Sequence, residues 1–316
     1  MPCEIVDVGE IADSFREEIV AAIKKEDLNF GPKLVGFLSN SDPTAKTYSA
    51  LTAQSCLAVG IHYELRHVDK EDLEEKIVEA NEDNSVHGII VYYPVFNSRQ
   101  DQYLQNVLSA KKDVEGLCHK YIYNMYHNVR FLDEGKEIKS IIPCTPLAIV
   151  KASFFLKNKI LEHIAAYNRL LPYGNRLHGR VITVINRSEV VGRPLAALLA
   201  NDGAKVFSVD INDVQEFHRG TGLQFSTHEA KNTSYKMTDV LPFSDVVISG
   251  VPSANFKVPT ELLKDGVIAI NFSGSNNFGD DVKHRASFYA PAIGKITIAM
   301  LQRNLIRLYQ NYRDDE

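Results

Sequence analysis

Residues 181–194 read VITVINRSEVVGRP, and the fold turns on how that stretch is understood. Five uncharged, largely β-branched residues, Val181–Ile185, make a strand buried on both faces. A short polar turn follows, then a helical stretch ending at Gly203, a second strand at Lys205–Val209, and an acid, Asp210. Such a strand-to-helix turn brings backbone N–H groups and the positive helix end to a pyrophosphate. An acid about 20 residues further on accepts hydrogen bonds from an adenosine ribose. The GxGxxG fingerprint is absent. Asn186 stands where the leading glycine would, and asparagine tolerates a left-handed backbone better than most residues. The competing reading is a solvated α/β domain in which Asp210 is a surface acid, and Arg187 and Ser188 are only turn and capping residues.

Working outward, strands are expected at Asp245–Ser249 and Val267–Asn271, while residues 212–240, polar and weakly periodic, are expected to be an insertion or loop. A boundary falls near Pro143-Cys144-Thr145-Pro146, with a long helix from about Pro146, and the βα alternation restarts after Pro172-Tyr173-Gly174-Asn175. In the first half, Ile11, Phe15, Ile19 and Ile23 recur at helical spacing over residues 10–25. Lys33–Ser39 reads as a buried strand. Asp42 and Pro43 are cap and first residue of a helix running to Val59 and stopping at Gly60. Further strands at His62–His67 and His87–Tyr93 flank a helix at 70–83. Alternation of this kind implies parallel sheets. Residues 297–312 form a last helix with Ile298, Leu301, Leu305 and Leu308 on one face.

The 316 residues exceed one compact domain, so two are expected. A net charge of -5 without basic clusters argues against a nucleic-acid partner. The longest apolar run, Ile89–Phe96, is too short to span a bilayer, so no membrane partner is expected. The acidic start fits neither a secretory nor a mitochondrial leader. Cys3, Cys56, Cys118 and Cys144 show no CxxC pairing, and the histidines no HExxH. The expectation is a reducing, cytoplasmic setting and no metal.

Taken together, SDPTAKTYSALT (41–52), GIIVYYPVF (88–96), KDVEGL (112–117), PCTPLA (143–148), NRSEVVGRP (186–194) and APAIGKITIAM (290–300) resemble the methylenetetrahydrofolate dehydrogenase/cyclohydrolase family. The forms DPxAKxYxxxT, KDVEG and NRSExVGRP are similar to its monofunctional NAD-dependent branch in yeasts. The resemblance implies two α/β domains with parallel sheets, the second a Rossmann-type NAD-binding domain, with a folate cleft between them. Residues 1–144, joined by helix 297–312, would be the folate-binding catalytic domain, and 145–296 the NAD domain. It implies NAD as cofactor, a folate substrate and a homodimer. Catalytic positions carried over are Tyr48, Glu115 and Cys144. Substrate contacts would be Tyr48, Thr52, Tyr92, Pro94, Glu115 and Pro291. The cofactor would meet Asn186, Arg187, Ser188, Val191, Gly192, Asp210, Gly250, Val251, Pro252 and Thr297, with Arg187 on the ribose acid or the pyrophosphate.

Departures from the bifunctional pattern sharpen the expectation. The lysine of YxxxK is Thr52, the glutamine of VQLPLP is Tyr92, the second aspartate of KDVDG is Glu115, and the glycine-rich loop is shortened around Pro291–Thr297. Hydride removal from a carbon between two nitrogens needs position rather than a protein base, whereas hydrolysis needs a proton carrier. Thr52 cannot replace lysine there, and Lys46, six residues earlier, lies off the Tyr48–Thr52 face at about 100° per residue. A dehydrogenase without cyclohydrolase activity is expected. A bifunctional enzyme and a non-catalytic folate-binding regulator stand as alternatives. Cys144 reads better as a packed thiol than as a nucleophile.

Overall fold

The computed structural model describes residues 2–25, 31–159, 174–220 and 227–312; the expected breakpoint residues Pro172 and Tyr173 lie outside them. In chain order the first elements are β1 (Glu4–Ile5), α1 (Val8–Lys25), β2 (Lys33–Leu38), α2 (Pro43–Val59), β3 (His62–His67), α3 (Leu73–Glu82) and β4 (Gly88–Val91). Next come α4 (Arg99–Val107), α5 (His119–Tyr126), α6 (Cys144–Lys159), β5 (Val181–Ile185), α7 (Gly192–Asn201), β6 (Lys205–Val209), β7 (Val214–Arg219) and β8 (His228–Asn232). The chain closes with α8 (Met237–Val240), β9 (Val246–Ser249), β10 (Val267–Asn271), β11 (Ala286–Ala290) and α9 (Gly294–Tyr312).

These elements form two compact units. One comprises Met1–Ile11, Met125–Asn128 and Thr145–Ile296; the other Ala12–Asn124, Val129–Cys144 and Thr297–Glu316. The second unit is built on a parallel sheet in the order β3-β2-β4. Asp42 accepts from Thr44 N at 2.9 Å, Pro43 occupies the first turn of α2, and Gly60 ends it in a left-handed conformation, as the capping residues predict. Val35, Phe37, Ile77, Ile89 and Leu104 fill one core. Ile298, Leu301, Leu305 and Leu308 of α9 are buried. Strand β4 is shorter than the sequence reading, because the chain leaves the sheet after Val91 toward a cis Tyr93–Pro94 peptide. Helix α6 starts at Cys144, two residues early; Pro146 is tolerated in a first turn, where backbone N–H groups have no helical partner.

The other unit holds an eight-stranded sheet, β1-β11-β10-β9-β5-β6-β7-β8. Two sequence expectations are corrected here. Residues 212–240 are not a loop: β7 and β8 extend the sheet antiparallel to β6 and to each other, and α8 follows. Their alternation is weak because β7 buries only Val214 and Phe217, and the outer strand β8 is exposed along most of its length. Residues 2–11, read with the first domain, belong to this unit, because β1 pairs with β11 through Glu4↔Phe288 and Ile5↔Tyr289. Two residues make too short a strand to be legible as a pattern. Among the described residues no helix is long and apolar enough to cross a membrane.

Candidate functional site

At the end of β5 the chain turns through Asn186, whose φ is 109°, a conformation rarely adopted by L residues. Its own side chain holds the turn: Nδ2 donates to Gly250 O at 2.6 Å, and Oδ1 accepts from Ser188 N at 2.7 Å. Ser188 Oγ in turn accepts from Val191 N and Gly192 N, each at 3.3 Å, capping the first turn of α7. A Cβ on Gly192 would fall on the Asn186 carbonyl, 2.6 Å from its carbon and 3.1 Å from Arg187 Cα. Glycine alone lets the helix begin this close to the strand end, the service a fingerprint glycine performs.

Beyond the turn lies a cavity of about 640 Å³, lined by Asn186, Ser188, Asp210, Val251 and Pro252 among others. That volume falls within the usual range for small-molecule sites. Asp210 is exposed at the end of β6, its Oδ1 accepting from Ile211 N at 2.9 Å. Cavity, helix start and exposed acid fit a dinucleotide. Val191, Gly192 and Gly250 shape the turn without lining the cavity. Thr297 is buried in the first turn of α9, and Pro291 is exposed, its carbonyl accepting from Asn271 at 3.0 Å; neither lines the cavity.

Arg187, expected on the ribose acid or the pyrophosphate, is instead engaged within the sheet. Nη1 meets Asp213 Oδ1 at 2.7 Å, Nη2 the Ser208 carbonyl at 2.5 Å and Nε the Ser208 hydroxyl at 3.1 Å. Its side chain is 8% exposed. The far wall of the cavity comes from Tyr235, Lys236, Met237 and Phe256, three of them in the segment read as a loop. The one available signal was Asp239, three residues after Lys236: its Oδ2 accepts from Lys236 N at 2.7 Å and starts a short helix.

In the other unit a second cluster forms around Tyr92. Its carbonyl and that of exposed Pro94 both accept from Asn40 Nδ2, at 2.8 and 3.0 Å. The Tyr48 ring stands edge-on to Tyr92, with centroids 6.1 Å apart. One turn on, fully buried Thr52 donates its hydroxyl proton to Tyr48 O at 2.8 Å. Glu115 sits on a loop fixed from within: buried Asp113 accepts from Gly116 N at 2.9 Å and Cys118 N at 2.8 Å. Gly116 has φ 73°, and a Cβ there would approach Pro143 N to 3.0 Å. Buried Cys144 donates its backbone N–H to Glu115 O at 3.1 Å. Lys46 is exposed.

Burial favours the protonated forms of the carboxyl and phenols in this cluster. Burial first, then the Asp113 carboxylate, pushes Glu115 up to about 8, against a backbone hydrogen bond from Val91. Burial pushes Tyr92 up to about 12. It also raises Tyr48 well above the ordinary phenol range, helped by Cys144 and Glu115. The sequence reading missed Tyr63, whose hydroxyl lies 2.7 Å from that of Tyr92.

Known proteins resemble this chain over nearly its whole length. The family model described as "Tetrahydrofolate dehydrogenase/cyclohydrolase, catalytic domain" matches residues 6–115. A Methylenetetrahydrofolate dehydrogenase [NAD(+)] of Schizosaccharomyces pombe is 56% identical over 97% of this chain and 93% of its own length. The protein of the same name from Saccharomyces cerevisiae is 52% identical over 98% of this chain and 97% of its own. The solved structure of the NAD-dependent 5,10-methylenetetrahydrofolate dehydrogenase from Saccharomyces cerevisiae superposes with a TM-score of 0.92 at 51% identity, covering 99% of each chain. The chain belongs to the tetrahydrofolate dehydrogenase/cyclohydrolase family.

Proposed function

We propose that this protein oxidises 5,10-methylenetetrahydrofolate to 5,10-methenyltetrahydrofolate, with NAD as hydride acceptor and without cyclohydrolase activity. The observation that carries the reading is the pairing, in one chain, of a nucleotide-type turn with a tyrosine cluster in which buried Thr52 stands at the lysine position of the bifunctional pattern. Thr52, where the bifunctional pattern has lysine, has its only proton on a helix carbonyl. Tyr92 and Tyr48 stay protonated at any working pH.

On this reading Tyr48 and Tyr92 supply aromatic walls with polar tips for the folate, and Pro94 borders them. Glu115, neutral before substrate arrives, ionises as pterin N–H groups and the developing cation stabilise its charged form. Cys144 packs beside Glu115 through the backbone bond. NAD, when bound, accepts the hydride. The residues that would hold it are Asn186, Ser188 and Gly192 at the pyrophosphate and Asp210 at the ribose, with Val251 and Pro252 as apolar wall. Pro291 and Thr297 enter the assignment only through the family pattern. Asp210 would face the extra phosphate of NADP with like charge, so NAD is preferred.

Four free thiols, Cys3, Cys56, Cys118 and Cys144, support the cytoplasm as the compartment. The exposed outer strand β8 offers an edge consistent with a homodimer, which light scattering on the purified chain would test. The activity is tested by following NADH on addition of methylenetetrahydrofolate, and by the decay of methenyltetrahydrofolate absorbance with and without protein. NADH without accelerated decay is expected. No NADH, or decay at a comparable rate, would contradict the proposal.

A further inference from the structure

We infer that Tyr63 is a positioning residue of the folate site, acting through Tyr92; the inference rests on the dehydrogenase reading above. Strand β2 lies between β3 and β4. Tyr63 starts on β3, opposite Leu34, and Tyr92 follows β4 on the other side of β2. Their hydroxyls nevertheless meet at 2.7 Å. Gly36 on β2 makes that crossing possible. A Cβ there would overlap the Tyr63 hydroxyl and stand 3.0 Å from its ring carbon Cζ.

The bond closes a set of side-chain contacts around one ring. Thr52 gives its single hydroxyl proton to Tyr48 O at 2.8 Å, and the Tyr48 ring stands edge-on to Tyr92 with centroids 6.1 Å apart. The hydroxyl of Tyr92 is hydrogen-bonded to that of Tyr63. Held at its tip by Tyr63, the Tyr92 ring keeps its edge-on pose against Tyr48.

The test compares Tyr63→Phe, Tyr92→Phe and the double variant with the wild type. Loss of one net hydrogen bond should raise the KM for methylenetetrahydrofolate about fivefold in Tyr63→Phe, with kcat and the KM for NAD little changed. The double variant should be no worse than Tyr92→Phe alone. Gly36→Ala should reproduce the Tyr63→Phe phenotype by displacing the phenol. A merely structural Tyr63 would lower the melting temperature without separating the two KM values. An unchanged folate KM, or single effects that multiply in the double variant, overturns the inference. If the wild type forms no NADH, the dehydrogenase reading fails separately. Tyr63 is then judged by calorimetry with 5-formyltetrahydrofolate. Weakened binding in Tyr63→Phe upholds it, and equal binding, or none to the wild type, overturns it.

Discussion

In the turn after β5, polar side chains hold the backbone. Asn186 bridges to Gly250 and Ser188, Ser188 caps α7, and Arg187 ties the turn to Ser208 and Asp213. What faces the cavity beside them is main chain, the apolar surface of Val251, Pro252 and Phe256, the exposed acid Asp210, and Tyr235 and Lys236. Around Tyr92 the roles are reversed. Asp113 and Asn40 hold the backbone from behind, and the side chains meet one another. The contrast explains two kinds of recognition. A backbone-built site suits a cofactor read by its phosphates, whereas a side-chain site built of neutral hydroxyls and one poised carboxyl suits a substrate on which charge develops.

The largest expected effect falls on the backbone-built site. Gly192→Ala places a methyl on the Asn186 carbonyl, and relieving that overlap costs about 3 kcal/mol. NAD affinity should fall roughly a hundredfold while binding of a folate analogue stays near wild type, measured by calorimetry for each ligand. Equal losses for both ligands would erase the distinction between the sites.

Glu115→Gln tests the other side. Losing a charge-assisted partner for the pterin should lower kcat/KM for the folate at least about tenfold. The pH profile is the sharper readout. In the wild type kcat/KM should rise with pH as Glu115 ionises near 8, and the variant should be flat through that range. Stability moves the opposite way. The folded carboxyl holds its proton more tightly than the unfolded one, so its contribution is fully present below about 4.5 and is lost as pH rises through about 8. Glu115→Gln should therefore gain in melting temperature relative to wild type between pH 5.5 and 8.5. A constant difference between the two melting curves would place Glu115 in contact with water.

A smaller change is expected at Asp210. Asp210→Asn removes the like charge that an added phosphate would meet, so the preference for NAD over NADP should narrow by about tenfold. Arg187 is engaged at Asp213, so the acid at the end of β6 is the group to test. An unchanged cofactor ratio would move the selectivity to another wall of the cavity, Lys236 being the first to examine.

Local chemistry made part of this legible in advance. Asp42, Pro43 and Gly60 bracketed α2, and uncharged β-branched runs marked β5 and β10, because caps and buried strands leave their signal within a few residues. β1 and β11 left none of that length, and β7 and β8 carry polar residues on an exposed edge. The identity of Glu115 came from its motif, but its proton did not. That depends on Asp113 and on burial, both products of the fold. Tyr63 was invisible for a similar reason: its importance lies in a residue-wide gap at Gly36 on the neighbouring strand, which no window along the chain can contain.

The loop that carries Glu115 is fastened from α9, and that sets a time as well as a shape. Asn304 Nδ2 donates to the Val114 carbonyl at 2.9 Å, across 190 residues of sequence, and to Ile142 O at 3.0 Å. The loop bearing Glu115 thus leaves the ribosome well before the side chain that staples it exists. At about 5–20 residues per second, that interval lasts roughly 10–40 s. Until α9 emerges, the nascent chain carries its substrate loop unfastened, and a ribosome stalled before codon 304 would display a unit whose site is not yet set.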